Sequence, residues 1–342
     1  MVTRVQRRVF YCPTEQSYTS DETELCYPHL GNSSCRRIVR PLSVSVPIYI
    51  TLSSLSVLTV TLNLMVIITI SHFKKLHTPT NFLLLSLSIA DFCVGFLFIF
   101  QILLMDGCWY LSANWCVFYS VICLVLTSAS IGTIVLISID RYIAVCDPLH
   151  YPTKVTPNRA KMCIVACWFC SVFYTFVYIE VIKHPGIFNS CTGQCTTYIH
   201  LVAKLMHLFF CFIIPVSIIV LLYVRVFVVA VSQARAMHSQ VGVVTPHGSL
   251  KVNRSELKAA RVLGVLVVGF LLCLTPFYIV LLSVRFGAIN MTHLVFVICL
   301  YYSNSFLNPM IYVFLYPWFR KCLKYIISLQ ILKSGSSEAN IL

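Results

Sequence analysis

The sequence predicts an all-α membrane protein: a bundle of seven transmembrane helices followed by a short amphipathic eighth. Three observations predict it. The 342 residues are 58% hydrophobic and only 11% charged, where a soluble domain carries roughly twice that charged share. Seven apolar runs of bilayer-spanning length follow one another. Basic residues recur in alternate joining segments. Backbone polar groups in lipid must be satisfied within the protein, so seven helices packed as one bundle are the simplest architecture.

In chain order, residues 1–44 form a polar leading segment without a signal-peptide core. The first span would then act as its own signal anchor. Asn32-Ser33-Ser34 in that segment is a glycosylation acceptor pattern. The seven-span region covers 45–316, with apolar runs at about 45–70, 81–105, 117–139, 161–182, 199–226, 260–284 and 292–316. Their connections are short except for 227–259. Residues 317–342 hold the amphipathic helix and a tail. The sequence has no internal repeat and no separate soluble domain.

The net charge of +14 reads as a positive-inside bias, not as nucleic-acid binding. Lys74 and Lys75, then Lys154, Arg159 and Lys161, then Arg235, Lys251 and Arg254, and finally Arg320, Lys321 and Lys324 all fall on one side, the cytoplasmic one. The leading segment carries Arg4, Arg7, Arg8, Arg36, Arg37 and Arg40, partly offset by Glu15, Asp21, Glu22 and Glu24. The loop pattern outweighs it because it recurs at every turn, and it places the amino terminus outside. Cys12, Cys26, Cys35, Cys108, Cys116, Cys191 and Cys195 cluster on that outer side. An oxidising exterior favours disulfides among them, although spacing does not reveal connectivity.

Polar groups inside membrane helices are costly, so each is a functional candidate. The run SLSIADF places Asp91 in the second span, TSAS places Ser130 in the third, and the seventh carries Asn304, Ser305 and Asn308. One carboxylate with several neutral oxygens suits a small cation. It equally suits a hydrogen-bonded knot that only holds helices together. Pro309 removes a backbone donor and marks a bend in the seventh span. The third span ends SIDRYIAVCDPLHY, with Asp140 and Arg141 at the cytoplasmic boundary, and Glu256 in NRSELKAAR opens the sixth at the same level. One arginine then has two candidate carboxylates, which suits a breakable latch.

Taken together, these motifs resemble a rhodopsin-like G-protein-coupled receptor over roughly residues 45–330. The matching residues are Asn63 in TLNLMVI, Asp91 in LSIAD, Trp168, Arg141 in IDRY, Pro215, Tyr223, Pro276 in CLTPF, and Asn308, Pro309 and Tyr312 in NPMIY. The stretch NSFLNPMIYVFLYPWF, with CDPLHY, GCWY and CTGQC, is similar to the trace amine-associated receptors. The resemblance implies a plasma-membrane, multi-pass receptor that takes a small ligand, an amine, and activates a heterotrimeric G protein of the stimulatory type. It implies a sodium and water cluster at Asp91, Ser130, Asn304 and Asn308, with no other cofactor. It assigns the activation switch to Asp140, Arg141, Glu256, Tyr223, Tyr312, Leu274, Phe270, Ile131 and Pro215. It pairs Cys116 with Cys195, and we assign Cys26 to Cys191 and Cys35 to Cys108 on the same basis. Pro317 to Leu329 would lie along the inner leaflet, with Cys322 a candidate for palmitoylation. An olfactory or chemosensory role is what a divergent member suggests.

Two residues depart from the family pattern. Seven residues after Cys116, where the family usually has an aspartate, stands Cys123. A buried ammonium needs a counter-charge, and a thiol is a poor substitute. Leu274 stands where a tryptophan is usual. The resemblance lines the pocket with Cys123, Thr127, His207, Cys211, Phe277, Tyr278 and Tyr302, of which the three aromatic rings suit a cation cage. Each ring also has a plain packing role, and His207 suits a structural hydrogen bond. Only Asp106 and Glu180 lie near the outer half of the bundle as replacement carboxylates.

The expected function is therefore ligand-gated activation of a G protein, with a receptor for a non-amine odorant as the alternative. A transporter would show inverted repeats and carboxylate relays, which the sequence lacks. A retinal pigment would need a lysine in mid helix seven, and 292–316 has none. His207 and Cys211 share a helical face without a further set of reacting groups, so an enzyme is not expected.

Overall fold

The computed structural model describes residues 24–182, 191–193, 195, 201–239, 264–265, 267–282, 291–315, 317–333 and 335–339. Its helices are α1 (Leu42–His72), α2 (Pro79–Leu104), α3 (Ala113–Cys146), α4 (Pro157–Ile182), α5 (Leu201–Leu208, Phe209–Ile213 and Ile214–Ser239 in continuity), α6 (described over Val267–Leu282), α7 (Met291–Leu315) and α8 (Pro317–Ile327). Among the described residues, five helices are long and apolar enough to cross a membrane, and α6 is a shorter apolar helix.

Local signals explain the boundaries. Pro79 begins α2, and Thr78 caps it by accepting from the Asn81 backbone N–H at 3.3 Å. Pro157 opens α4 in the same way. In α5 the segment Phe209–Ile213 widens to a π-helix just before Pro215, which has no N–H to give. The bulge leaves Cys211 buried.

Packing then fixes the bundle. Gly95 lets α2 approach α1: a Cβ there would lie 2.6 Å from Val60 Cγ2. Ser56 of α1 donates to the Gly95 carbonyl at 2.8 Å across the same contact. Asn63 ties α1 to α7, its amide donating to the Thr59 carbonyl (2.9 Å) and the Ser305 carbonyl (3.0 Å). Trp168 of α4 donates to Ser86 of α2 at 3.0 Å. The central core joins Leu87, Ile131, Ile134, Phe270, Leu274, Tyr278 and Tyr312 from four helices. Pro215 is buried as well.

At the end of the bundle that carries the leading segment, two disulfides tie that segment down, Cys26–Cys108 and Cys35–Cys191, and a third, Cys116–Cys195, joins α3 to the same loop as Cys191. The structure thus corrects the expected pairing of Cys26 with Cys191 and Cys35 with Cys108. The reason lies in the backbone. The turn Pro28–Ser33 folds the segment back so that Cys26 N–H donates to Cys35 O at 2.9 Å, which sets the two cysteines side by side. Cys35 is then seated against the loop by Cys35 N–H to Thr192 O (3.0 Å) and Thr192 N–H to Ser33 O (2.7 Å), so the neighbouring Cys191 is its partner. Cys26 is left facing Cys108. Asn32 is exposed on this turn. Cys12 lies outside the described residues.

At the other end of the bundle, Phe73, Leu76 and Cys322 are fully buried together, and Trp318 and Tyr325 pack on them. Cys322 therefore pins α8 to the turn after α1, and its thiol is not presented to an acylating enzyme. Burial pushes that thiol up to about 12.

Candidate functional site

The outer layer sits below the disulfide-tied cap. Cys123 on α3 faces α7, with its Sγ 3.7 Å from the Tyr302 hydroxyl. That hydroxyl lies 3.2 Å from Tyr119 OH, which donates to Gln101 Oε1 at 2.9 Å. A neutral chain of Gln101, Tyr119, Tyr302 and Cys123 thus surrounds the position where the family resembled usually has an aspartate. Tyr301 donates to Thr127 Oγ1 at 3.3 Å. Phe277 stands over Tyr301 with ring centroids 4.5 Å apart, and Tyr278 and Tyr302 complete the aromatic wall at 5.4 Å from Phe277 and Tyr301 respectively.

His207 is buried beside this wall. Its Nδ1 is 3.0 Å from the Tyr174 hydroxyl, and its ring stacks near Tyr278 at 5.7 Å. Cys211 is one turn further along α5 and is also buried. The two outer carboxylates do not join the pocket. Asp106 accepts from Tyr49 OH at 2.6 Å and from Arg37 Nη2 at 3.1 Å, so it fastens the leading segment to the bundle. Arg37 also reaches Glu24 at 3.2 Å, and its guanidinium is held above its ordinary range chiefly by the bond to Asp106. Glu180 is exposed on the surface of α4.

A second layer lies deeper. Asp91 is fully buried, accepts from Asn308 Nδ2 at 2.7 Å, and has Ser130 Oγ at 3.5 Å. Its partners are neutral donors. A small cavity borders this layer, lined by Val94, Thr127, Ser130, Ile131, Leu274, Tyr301, Tyr302, Asn304 and Ser305, with room for about one water molecule. Asn304 is 8% exposed. One carboxylate among hydroxyl and amide oxygens is a donor set that fits a monovalent cation such as sodium.

A third layer, at the opposite end of the bundle from the disulfides, surrounds Asp140, whose side chain is 3% exposed. Arg141 donates to Asp140 Oδ2 from Nε (2.9 Å) and from Nη2 (2.6 Å), and also to Thr80 Oγ1. Thr80 Oγ1 and Tyr151 OH donate to the two Asp140 oxygens, each at 2.8 Å. Burial first, and then the charge of Asp140, raise Tyr151 to about 12, so its hydroxyl stays a donor at physiological pH. Glu256, the other expected carboxylate of the latch, lies outside the described residues. Tyr223 is half-buried and Tyr312 buried in the core below Leu274 and Phe270.

The sequence reading missed Gln101, Tyr119, Tyr301, Thr80 and Tyr151. Signals for some of them were present. Gln101 is a polar residue within an apolar span, and Tyr119 stands one helical turn before Cys123 on the same face. Tyr151 closes the CDPLHY run, but its reach back to Asp140 depends on the fold of the one-turn helix Tyr151–Lys154.

Comparison with known proteins agrees with this arrangement. Residues 62–312 match the 7 transmembrane receptor (rhodopsin family). The chain is 36% identical over 331 residues to trace amine-associated receptor 13c of Danio rerio, covering 94% of this chain and 97% of the relative. It is 38% identical to human trace amine-associated receptor 6 (93% and 95% covered) and 37% identical to trace amine-associated receptor 9 of Rattus norvegicus (93% and 97% covered).

Proposed function

The chain belongs to the trace amine-associated receptors, within the rhodopsin family of G-protein-coupled receptors, and from that premise we propose that it is a chemosensory receptor gated by a small amine. This is a family of receptors and not of enzymes, and the apolar helices make the chain a multi-pass membrane protein. The observation that carries the ligand reading is the wall of Phe277, Tyr278, Tyr301 and Tyr302 around Thr127 and Cys123. Aromatic faces attract a cation by roughly 0.5–2 kcal/mol, more where water is excluded. The names of the relatives support the same ligand class.

The leading segment is extracellular in this reading, at the plasma membrane. Its disulfides to the α2–α3 loop and to Cys191 support that side, because such bonds persist in an oxidising exterior. Asp91 and Ser130, with Asn304, hold a sodium ion in the resting receptor. Sodium supplies the counter-charge that the buried carboxylate otherwise lacks. Ligand entry shifts α6 through Leu274, Phe270 and Ile131, which share the central core. Arg141 then exchanges Asp140 and Thr80 for a stimulatory G protein at the cytoplasmic face. The test is cyclic AMP production by cells carrying the receptor at their surface, against amines, polyamines and neutral odorants. Amine-driven production is expected. Responses confined to neutral odorants would overturn the ligand reading.

A further inference from the structure

A hydroxyl or a thiol has one hydrogen to give, and this fixes the direction of the chain around Cys123. Tyr119 OH donates to Gln101 Oε1 at 2.9 Å. Its hydrogen is then committed, so in the 3.2 Å contact with Tyr302 OH the donor is Tyr302. That commits the hydrogen of Tyr302 in turn. In the 3.7 Å contact between Tyr302 OH and Cys123 Sγ the thiol is therefore the donor. The hydrogens run one way, from Cys123 through Tyr302 and Tyr119 to Gln101, and the amide oxygen at the far end sets the order.

Burial keeps that order from being rewritten by water. Gln101 and Tyr119 are only 7% and 8% exposed. Cys123 and Tyr302 keep more accessible surface, and their contact bridges α3 and α7 beside the aromatic wall. The chain thus ends in packed protein at Gln101 and reaches the pocket at Cys123 and Tyr302. At the pocket end both hydrogens are already directed away, and what remains is lone pairs. Each link polarises the next, so a sulfur that donates is a better acceptor.

We propose that Gln101 is a positioning residue for ligand selectivity: it fixes this direction and so makes the Cys123–Tyr302 end an acceptor, which takes a ligand that brings its own N–H hydrogens. This rests on the amine reading above and narrows it to amines that carry such hydrogens. A primary ammonium brings three donors. A quaternary ammonium has the same charge and none, and only the aromatic faces attract it. Gln101 itself does not touch the ligand and acts through Tyr119 and Tyr302. An amide NH₂ in place of Oε1 would reverse every hydrogen, leave the Cys123 S–H pointing at the ligand, and favour acceptors such as carbonyl oxygens.

Infrared difference spectroscopy reads the direction without any ligand, because the S–H stretch lies apart from other protein bands. The band that Cys123→Ala removes from the wild type should stand at the lowered frequency of a donating thiol. In Tyr302→Phe, which lacks the acceptor oxygen, it should return to the free-thiol position. A wild-type Cys123 band already at the free-thiol position overturns the direction. Ligand binding reads the consequence, through the thermal unfolding midpoint of purified receptor in lipid nanodiscs. n-Hexylamine should stabilise the wild type at about tenfold lower concentration than hexyltrimethylammonium, the worth of one hydrogen bond to a charged group. Gln101→Leu should cut that ratio by about threefold or more. Gln101→Glu, whose carboxylate only accepts, should preserve it. The ratio compares two ligands on one protein, so a loss of stability common to both cancels. An unchanged ratio in Gln101→Leu, or a wild type that prefers the quaternary amine, overturns the role of Gln101 and leaves the amine reading standing. Failure of both compounds to bind the wild type overturns the amine reading and the selectivity with it.

Discussion

Removing one outer disulfide at a time should destabilise the receptor by a calculable amount. The three bridges close a ring through the segments 26–35, 108–116 and 191–195, about 21 residues around. With the other two bridges in place, each bridge closes only that short ring. The chain-entropy relation then gives it about 3 kcal/mol. If Cys35–Cys191 is already absent, Cys26–Cys108 closes a separation of 82 residues and contributes about 4.5 kcal/mol. The second cut should therefore cost more than the first, by about 1 kcal/mol. The perturbation is paired replacement by serine, Cys26→Ser with Cys108→Ser, then Cys35→Ser with Cys191→Ser, then all four. Thermal unfolding of purified receptor reads the stability, and non-reducing peptide mapping reads the pairing. Matched pairs should leave no new free thiol, whereas Cys26→Ser with Cys191→Ser should leave Cys35 and Cys108 both without their partners. Peptides joining Cys26 to Cys191 would refute the pairing, and a first cut costing well under 1 kcal/mol would refute the ring argument.

Three further outcomes are expected. Tyr151→Phe removes one bond to Asp140, worth about 1.5 kcal/mol for a charged acceptor, so basal cyclic AMP should rise up to about tenfold at matched surface expression; unchanged basal output would show that this bond does not favour the resting state. Cys322 should resist palmitate incorporation and thiol reagents in folded receptor, and labelling as fast as that of an exposed cysteine would contradict its burial against Phe73. Asp147 accepts from Lys154 (2.8 Å) and pairs with His150 (2.7 Å), which lower its carboxyl to about 2; because that value is depressed, the stabilisation is present above the ordinary carboxylate range and is lost only as pH falls through about 2, so a carbon-detected titration of Asp147 with a midpoint near 4 would contradict the pairing.

Seven spans were legible because lipid demands long apolar helices, and because Asp91, Asn308 and Arg141 are expensive residues that stand out against them. Disulfide pairing was not legible. Cys26 and Cys35 are brought side by side by a turn, and which one meets Cys191 depends on two backbone hydrogen bonds at Thr192. Asp106 looked like a ligand anchor from its depth alone, but Tyr49 and Arg37, distant in sequence, occupy both of its oxygens. Cys123 was correctly singled out as a departure. Tyr119, one turn earlier on α3, follows from helical spacing, but Tyr302 and Gln101, which complete the neutral chain, come from α7 and α2, and no spacing rule connects them to Cys123. The cavity beside Leu274 is a packing outcome, visible only once α3, α6 and α7 are placed together.

Nucleotide exchange tests the central claim most directly. Purified receptor and purified stimulatory heterotrimer, with n-hexylamine added or withheld, give the rate of guanine-nucleotide exchange. An amine-dependent acceleration that Arg141→Ala abolishes, at unchanged amine binding, is the predicted result. Exchange that ignores the amine, or that is undiminished in Arg141→Ala, would contradict the account.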